Sequence, residues 1–230
     1  MAQIVNYDGY FSGDHASAYM WDVGSRSTRN LIMSEVGNRR DILEIGSGIS
    51  PVYSDSLKMD VQGNPDYLCS ISDDIAICSK FDAIIMAHVF EHVVHDVRAI
   101  RNCYQMLKPG GILVVISPGH KSGICTQKEV ERNGHIRRMN LPYMRSLEMC
   151  NFSLAKYRSV HTVHNLVWNK LKYALKAAYY PMKLIDHMEM YDRPTYRRLS
   201  TLIMRILDKL DSPITRATAS NILAVYHKHS

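Results

Sequence analysis

The chain has 230 residues, 46% of them hydrophobic, and a net charge of +6, which suits one α/β domain with some elaboration and a sizeable core. Its longest apolar runs are only a few residues, far short of the roughly 20 that span a bilayer, and Met1–Asp8 has neither a basic start nor an apolar signal core, so a soluble, cytoplasmic protein is expected. Five cysteines without a Cys-x-x-Cys pair exclude a disulfide framework and read as free thiols in a reducing compartment.

The first 40 residues read as mostly helical after an aromatic-rich start (Tyr7, Tyr10, Phe11, Tyr19, Trp21). From Asp41 onward, short apolar runs alternate with helical stretches, the pattern of a parallel sheet. Strands are expected at 42–45, 57–60, 66–69, 82–87, 111–117, 153–160 and 221–227. The runs at 82–87 and 111–117 are continuously apolar, as strands covered on both faces are. About ten residues, including Ser50-Pro51, separate the first glycine turn from Leu57; a crossover helix barely fits there, so a short or irregular turn is expected.

A helix near 95–107 carries Val97, Ile100, Tyr104 and Leu107 on one stripe. It should stop at Lys108-Pro109, because proline cannot continue a helix and disfavours helical geometry before it. Residues 165–210 read as a helical insertion before the last strand, with amphipathic patterns at Val167–Ala178 and Leu199–Leu210. Residues 156–230 hold 13 Lys and Arg against 5 Asp and Glu, a net +8, so the basic excess lies in the last third. It fits an acidic substrate, an anionic membrane surface or plain solubility.

The most informative stretch is Asp41-Ile42-Leu43-Glu44-Ile45-Gly46-Ser47-Gly48. A buried strand ends in a two-glycine turn whose residues lack a Cβ, so the backbone can take positive φ and approach a nucleotide-like ligand closely. With Asp60, Phe81-Asp82, His88-Val89-Phe90-Glu91-His92-Val93 and Leu107-Lys108-Pro109-Gly110-Gly111, it resembles the class I S-adenosylmethionine-dependent methyltransferases, in particular the bacterial group reading "LEIGCG…D…FD…HVLEHV…LKPGG". The resemblance covers Asp41 to Phe152 and a final strand at 221–227. It implies a Rossmann-like, doubly wound α/β sheet of about seven strands, mostly parallel with the last strand antiparallel. The whole chain is then a single domain: a helical cap over 1–40, a cofactor-binding core over 41–164, the insertion over 165–210 and the final strand over 211–230.

The resemblance also implies the cofactor, S-adenosyl-L-methionine, with S-adenosyl-L-homocysteine as product. Gly46, Ser47 and Gly48 would meet its methionine and ribose portion, Glu44 its ammonium directly or through water, and Asp60 its ribose hydroxyls. Many relatives place an Asp against the adenine; the position here is Ser70, so Ser70 or Asp73 would make that contact and Ile71 would pack on the ring. The third glycine of the usual turn is replaced by Ser50.

His88 would line the cofactor and substrate pocket at the end of the fourth strand. The H-x-x-E-H spacing of His88, Glu91 and His92 also invites a zinc-peptidase reading, but that needs both histidines on one helix, and His88 falls at a strand end. Relatives with Glu-x-x-Glu-His here hold a divalent metal; this chain has His88 in place of the first Glu, and no metal is assigned to Glu91, His92, His88 and His135, with Glu91 and His92 read as helix-docking residues. Gly134-His135-Ile136-Arg137-Arg138 resembles the segment that overlooks the substrate side. His135 and His88 are the candidate catalytic residues, and His120 is a third histidine in reach of that side. Arg137 and Arg138 would suit an acidic substrate.

The expected function is methyl transfer to oxygen or nitrogen of a small molecule, sugar, glycan or lipid-linked intermediate. Two other readings stand beside it: a catalytically silent methyltransferase-like subunit that binds a partner through 165–210, and a nicotinamide-dependent oxidoreductase. The last should show G-x-G-x-x-G, and Pro51 stands where the final glycine would fall. Nucleic acid is not favoured as a partner, since the basic helices show no recognisable binding module. Peripheral membrane contact and a homodimer stay open.

Overall fold

The computed structural model describes residues 23–48, 51–119, 123–127, 130, 134–160, 206 and 221–229. Apart from Ile206, which is helical, the expected insertion at 165–210 lies outside the described residues, as do residues 1–22 and His120.

Helix α1 runs over Val23–Val36. Thr28, Ile32 and Val36, four residues apart, are all buried, as the 3.6-residue period requires of one helix face. Gly37, at φ +61°, ends it by donating its N–H to the Met33 carbonyl at 2.9 Å, a left-handed closure that glycine adopts without strain.

Seven strands follow: β1 (Ile42–Ile45), β2 (Leu57–Asp60), β3 (Tyr67–Leu68), β4 (Phe81–Ala87), β5 (Leu107–Pro118), β6 (Phe152–Val160) and β7 (Asn221–Lys228). They form one sheet in the order β3-β2-β1-β4-β5-β7-β6. Pairings from β3 through β5 are parallel, and β7 lies antiparallel between β5 and β6. The class and the direction of the last strand match the sequence expectation. Between β1 and β2, described residues 51–56 form turns and bends rather than a helix.

Alternation along the strands divides the core in two. Ile42, Ala83, Ile85, Val114, Ile116, Leu223 and Val225 face the α1 side with Ile32 and Val36. Leu43, Ile45, Ile84, Met86, Leu113, Val115 and Ala224 face the other side. There they meet helix α2 (Asp96–Met106) through Ala99, Ile100, Cys103 and Met106. Each Val, Leu, Ile or Met side chain here taken out of water contributes about 1.5–3 kcal/mol before chain entropy is counted.

Helix α2 stops one residue before the Lys108-Pro109 pair. The Lys228 ammonium donates to the carbonyls of Tyr104 (2.8 Å) and Leu107 (2.6 Å), satisfying groups the helix end leaves open. The Pro-Gly-Gly run does not break β5 off. It is absorbed as an irregularity, with Leu107 opposite Phe81 and Ile112 opposite Ala83.

A short helix, α3 (Leu141–Ser146), begins at Asn140, whose side chain accepts from the Tyr143 N–H at 2.9 Å. All five cysteines are free. Among the described residues no helix is long and apolar enough to cross a membrane.

Candidate functional site

In open parallel sheets ligands bind outside the carboxyl ends of the strands, where the connections diverge to opposite faces. Here that crevice is built from the ends of β1, β2, β4 and β5.

After β1 the chain enters the bend at Gly46 (φ +68°), Ser47 and Gly48 (φ +53°). The Gly46 N–H donates to the Met59 carbonyl of β2 at 2.7 Å, which pins the bend to its neighbour. A Cβ on Gly46 would lie 2.2 Å from a Val89 methyl, whereas one on Gly48 would meet nothing within 4 Å. Gly46 is therefore required by protein packing, and Gly48 faces open space. Asp60 ends β2 and turns toward the bend: its Oδ2 accepts from the Gly48 N–H at 3.0 Å, and its Oδ1 from Val61 at 2.7 Å. Gln62 also donates to Oδ1 at 3.3 Å; a carboxylate offers about four acceptor positions, so Asp60 retains one for a ribose hydroxyl beside the open face of Gly48.

Glu44 is bound up with the connection that follows β1. It is 2% exposed, and its carboxylate accepts from the N–H groups of Val52 (2.7 and 2.9 Å) and Tyr53 (3.1 Å). Burial raises its pKa, and the two backbone amides counter that in part. Alternation along β1 explains the result: Glu44 points to the α1 side, where the irregular connection passes, and ties that loop down. Its direct contacts in this structure are with the 52–53 backbone. Arg29 helps by donating to the Pro51 carbonyl at 3.0 Å.

The expected adenine-contact residues also serve local structure. The Asp73 carboxylate accepts from the Ser70 N–H at 2.7 Å, and the Ser70 hydroxyl oxygen accepts from the Ser72 N–H at 3.1 Å. Ile71 is 4% exposed and packs in the α2-side core, not on an open surface. Asn102 of α2 holds this turn by donating to the carbonyls of Ile71 (2.6 Å) and Asp73 (2.8 Å).

His88 follows β4 in the left-handed region, at φ +57°, with its N–H donating to the Ile116 carbonyl at 2.8 Å. Non-glycine residues there carry strain that the surroundings must over-determine. His88 Nδ1 lies 3.5 Å from Glu91 Oε1. Glu91 sits in a 3-10 turn (Phe90–His92), is wholly buried, and accepts from the Ser117 hydroxyl at 2.6 Å through Oε2. Burial opposes its charge, but His88 above all, then Ser117 and His92, outweigh it, and the Glu91 pKa is lowered. A peptidase arrangement is absent from these residues, since His88 is on a strand end and His92 in the 3-10 turn.

Segment 134–139 closes over this turn. Ile136 donates its N–H to the Glu91 carbonyl at 3.0 Å, and Met139 to the Pro118 carbonyl at 2.9 Å. His135 stands edge-on to His92 with ring centroids 5.0 Å apart, and His92 Nδ1 lies 3.1 Å from the Gly134 carbonyl. Burial lowers the His135 pKa, so the ring holds its proton weakly. Glu91 Oε1 and His135 Nδ1 are buried without a hydrogen-bond partner. Glu91, His92 and His135 each bring a ligand atom within 4.8 Å of the others, a donor set able to take a divalent cation.

Arg137, read from sequence as a substrate anchor, is committed to the protein. It donates to the carbonyls of Val93 and Val94, pairs with Asp96 at 3.6 Å, and lies over Phe90 and Tyr143. Sequence reasoning had no signal for Ser117 or Asn102. Both are ordinary polar residues whose roles come from which strand or turn lies opposite.

Residues 31–115 match a family model described as a methyltransferase domain. A 51-residue stretch is 45% identical to the mitochondrial ubiquinone biosynthesis O-methyltransferase of Mus musculus, a match covering 21% of this chain and 13% of that protein. The fold is similar to phosphoethanolamine N-methyltransferase 2 of Haemonchus contortus, solved with phosphomonomethylethanolamine and S-adenosylhomocysteine. The TM-score is 0.64 at 13% identity, over 97% of this chain and 60% of that one. It is also similar to an S-adenosylmethionine-dependent methyltransferase of Mesorhizobium loti, with a TM-score of 0.54 at 12% identity over 90% and 98% of the two chains.

Proposed function

We propose that this chain, whose residues 31–115 match a methyltransferase domain model and whose fold is similar to that of a methyltransferase, binds S-adenosyl-L-methionine at the Gly46–Gly48 bend and transfers its methyl group to oxygen or nitrogen of a small molecule, sugar, glycan or lipid-linked intermediate. The observation that carries the reading is the Asp60 carboxylate turned onto the Gly48 N–H, at 3.0 Å, beside the open face of that glycine. A cradle with a free backbone face and a carboxylate at its rim has the shape and the acceptors that a ribose requires. The mouse and nematode relatives, an O- and an N-methyltransferase by name, support an oxygen or nitrogen acceptor.

When bound, the cofactor supplies a methyl group already activated on a sulfonium. The protein then has little covalent work to do beyond holding the acceptor in line and excluding water. Asp60 and the bend fix the donor. His88, beyond the end of β4, and the segment carrying His135 would meet the acceptor in this reading. A hydroxyl acceptor gives up a proton, and a neutral imidazole is suited to take it.

Isothermal titration with S-adenosylhomocysteine is the direct test. The wild-type chain should bind it, and Asp60→Asn should bind at least about tenfold more weakly, the loss of one charge-assisted hydrogen bond of roughly 1.5–3 kcal/mol. No binding at millimolar ligand would overturn the reading, and binding of NADH in its place would favour the oxidoreductase. Transfer of labelled methyl groups into metabolite and glycan fractions separates an enzyme from a silent subunit.

A further inference from the structure

We infer that Glu91, His92 and His135 form a binding site for a transition-series divalent cation such as zinc, and that this site discriminates against magnesium and calcium. The inference stands apart from the cofactor reading, since it needs no donor at the Gly46–Gly48 bend.

The three residues come from two places in the chain. Glu91 and His92 are neighbours in the 3-10 turn after β4, and His135 arrives with the segment that the Ile136 N–H pins to the Glu91 carbonyl at 3.0 Å. One ligand atom of each lies within 4.8 Å of the other two. A single ion with bonds of about 2.0–2.2 Å reaches all three after small side-chain adjustments.

Two atoms of the set are left without a partner. Glu91 is 0% exposed, and its Oε1, like His135 Nδ1, is buried and makes no hydrogen bond. A buried carboxylate oxygen in that state is costly. An imidazole N–H aimed at it would remove the cost, yet the two atoms do not pair with each other. A cation takes a lone pair from each and balances the buried charge.

The surroundings fix the orientation of the donors. The Ser117 hydroxyl holds Glu91 Oε2 at 2.6 Å, and His92 Nδ1 stands 3.1 Å from the Gly134 carbonyl. Hydrogen bonds of these two kinds are the usual supports behind metal-ligating carboxylates and imidazoles. The composition of the set decides the ion. Imidazole nitrogen suits zinc, cobalt and nickel, whereas magnesium and calcium call for a shell of oxygens. A bound ion would tie the 134–139 segment to the turn after β4.

Cobalt(II) and zinc titrations of the full chain, stripped with chelator, test the assignment. Cobalt should bind at an equimolar ratio and report its coordination by visible absorption. Zinc should displace it and raise the urea midpoint as its concentration rises, while magnesium and calcium do neither. His135→Ala should weaken cobalt affinity at least about tenfold, and His95→Gln, at an exposed histidine outside the set, should leave it unchanged. Glu91→Gln should lose binding as well; if that variant does not fold, His135→Ala, at a half-buried position, decides together with the ion preference of the wild type. No uptake of cobalt or zinc at millimolar concentration, binding as tight in His135→Ala as in the wild type, or displacement of cobalt by magnesium as readily as by zinc would overturn the inference.

Discussion

Gly46 concentrates two constraints in one position. Its φ of +68° is costly for any residue with a Cβ, and that Cβ would lie 2.2 Å from the Val89 side chain. Gly46→Ala should therefore lower stability by about 2–4 kcal/mol, from the left-handed backbone and the overpacking together. Urea unfolding measures it. Adding Val89→Ala should return part of the loss, because the clash goes and the backbone strain stays. A cost for Gly46→Ala below about 0.5 kcal/mol, the range of an inconsequential surface change, would mean that Val89 does not rest on the bend. The places of Gly46 in the bend and Asp60 at the end of β2 could be read from sequence, because hydrophobic runs mark the strand ends. Glu44 could not. Its partners, Val52 and Tyr53, come from an irregular loop whose path no periodicity encodes, and alternation then turns its carboxylate onto the α1 side.

At the scale of elements, α2 is the brace of the 70–73 turn. Asn102 is 8% exposed and reaches out of the helix to two carbonyls that have no other partner among the described contacts. Asn102→Ala should cost about 1–3 kcal/mol, the penalty for leaving buried polar groups unsatisfied, with faster amide exchange at Ser72 and Asp73. An exchange pattern unchanged there would show that the turn stands without the helix.

The strands were legible in sequence almost to their ends, because apolar runs buried on both faces leave a plain signature. Five strands differ at an end, β4, β6 and β7 by a single residue each, and β3 and β5 differ for visible reasons. β3 is only Tyr67–Leu68 where 66–69 was expected, since Asp66 turns its carboxylate to the Lys58 N–H at 2.8 Å instead of extending the edge. β5 begins at Leu107, because the glycines are accommodated within the ladder rather than ahead of it.

Over the whole molecule, the two ends of the sheet divide the labour. Gly46, Asp60 and His88 gather at the carboxyl ends. At the opposite ends, the Lys108 ammonium bridges Asp41 and Asp82, and Asp82 also accepts from the Asp41 N–H at 3.0 Å. The Asp41 amide foremost, then Lys108, holds the Asp82 carboxyl below its usual 3.8 against the opposing effect of burial. A lowered folded-state pKa stabilises above the unfolded value and loses that contribution as pH falls through the folded one. Asp82→Asn should thus be less stable than the wild type at neutral pH. The difference should shrink as pH drops below 3.8, while affinity for S-adenosylhomocysteine stays unchanged. A stability gap that persists undiminished at lower pH would remove the ionic explanation.

The place of β7 has a consequence for how the chain is made. This strand, at residues 221–228, lies between β5 and β6 and supplies the ladder partner of both. A ribosome therefore releases β6 some sixty residues before its neighbour exists. Until then the nascent protein exposes two unpaired strand borders, which are templates for wrong association. Completion of the sheet waits on synthesis of the closing segment, so the vulnerable interval in the life of this molecule comes late in translation.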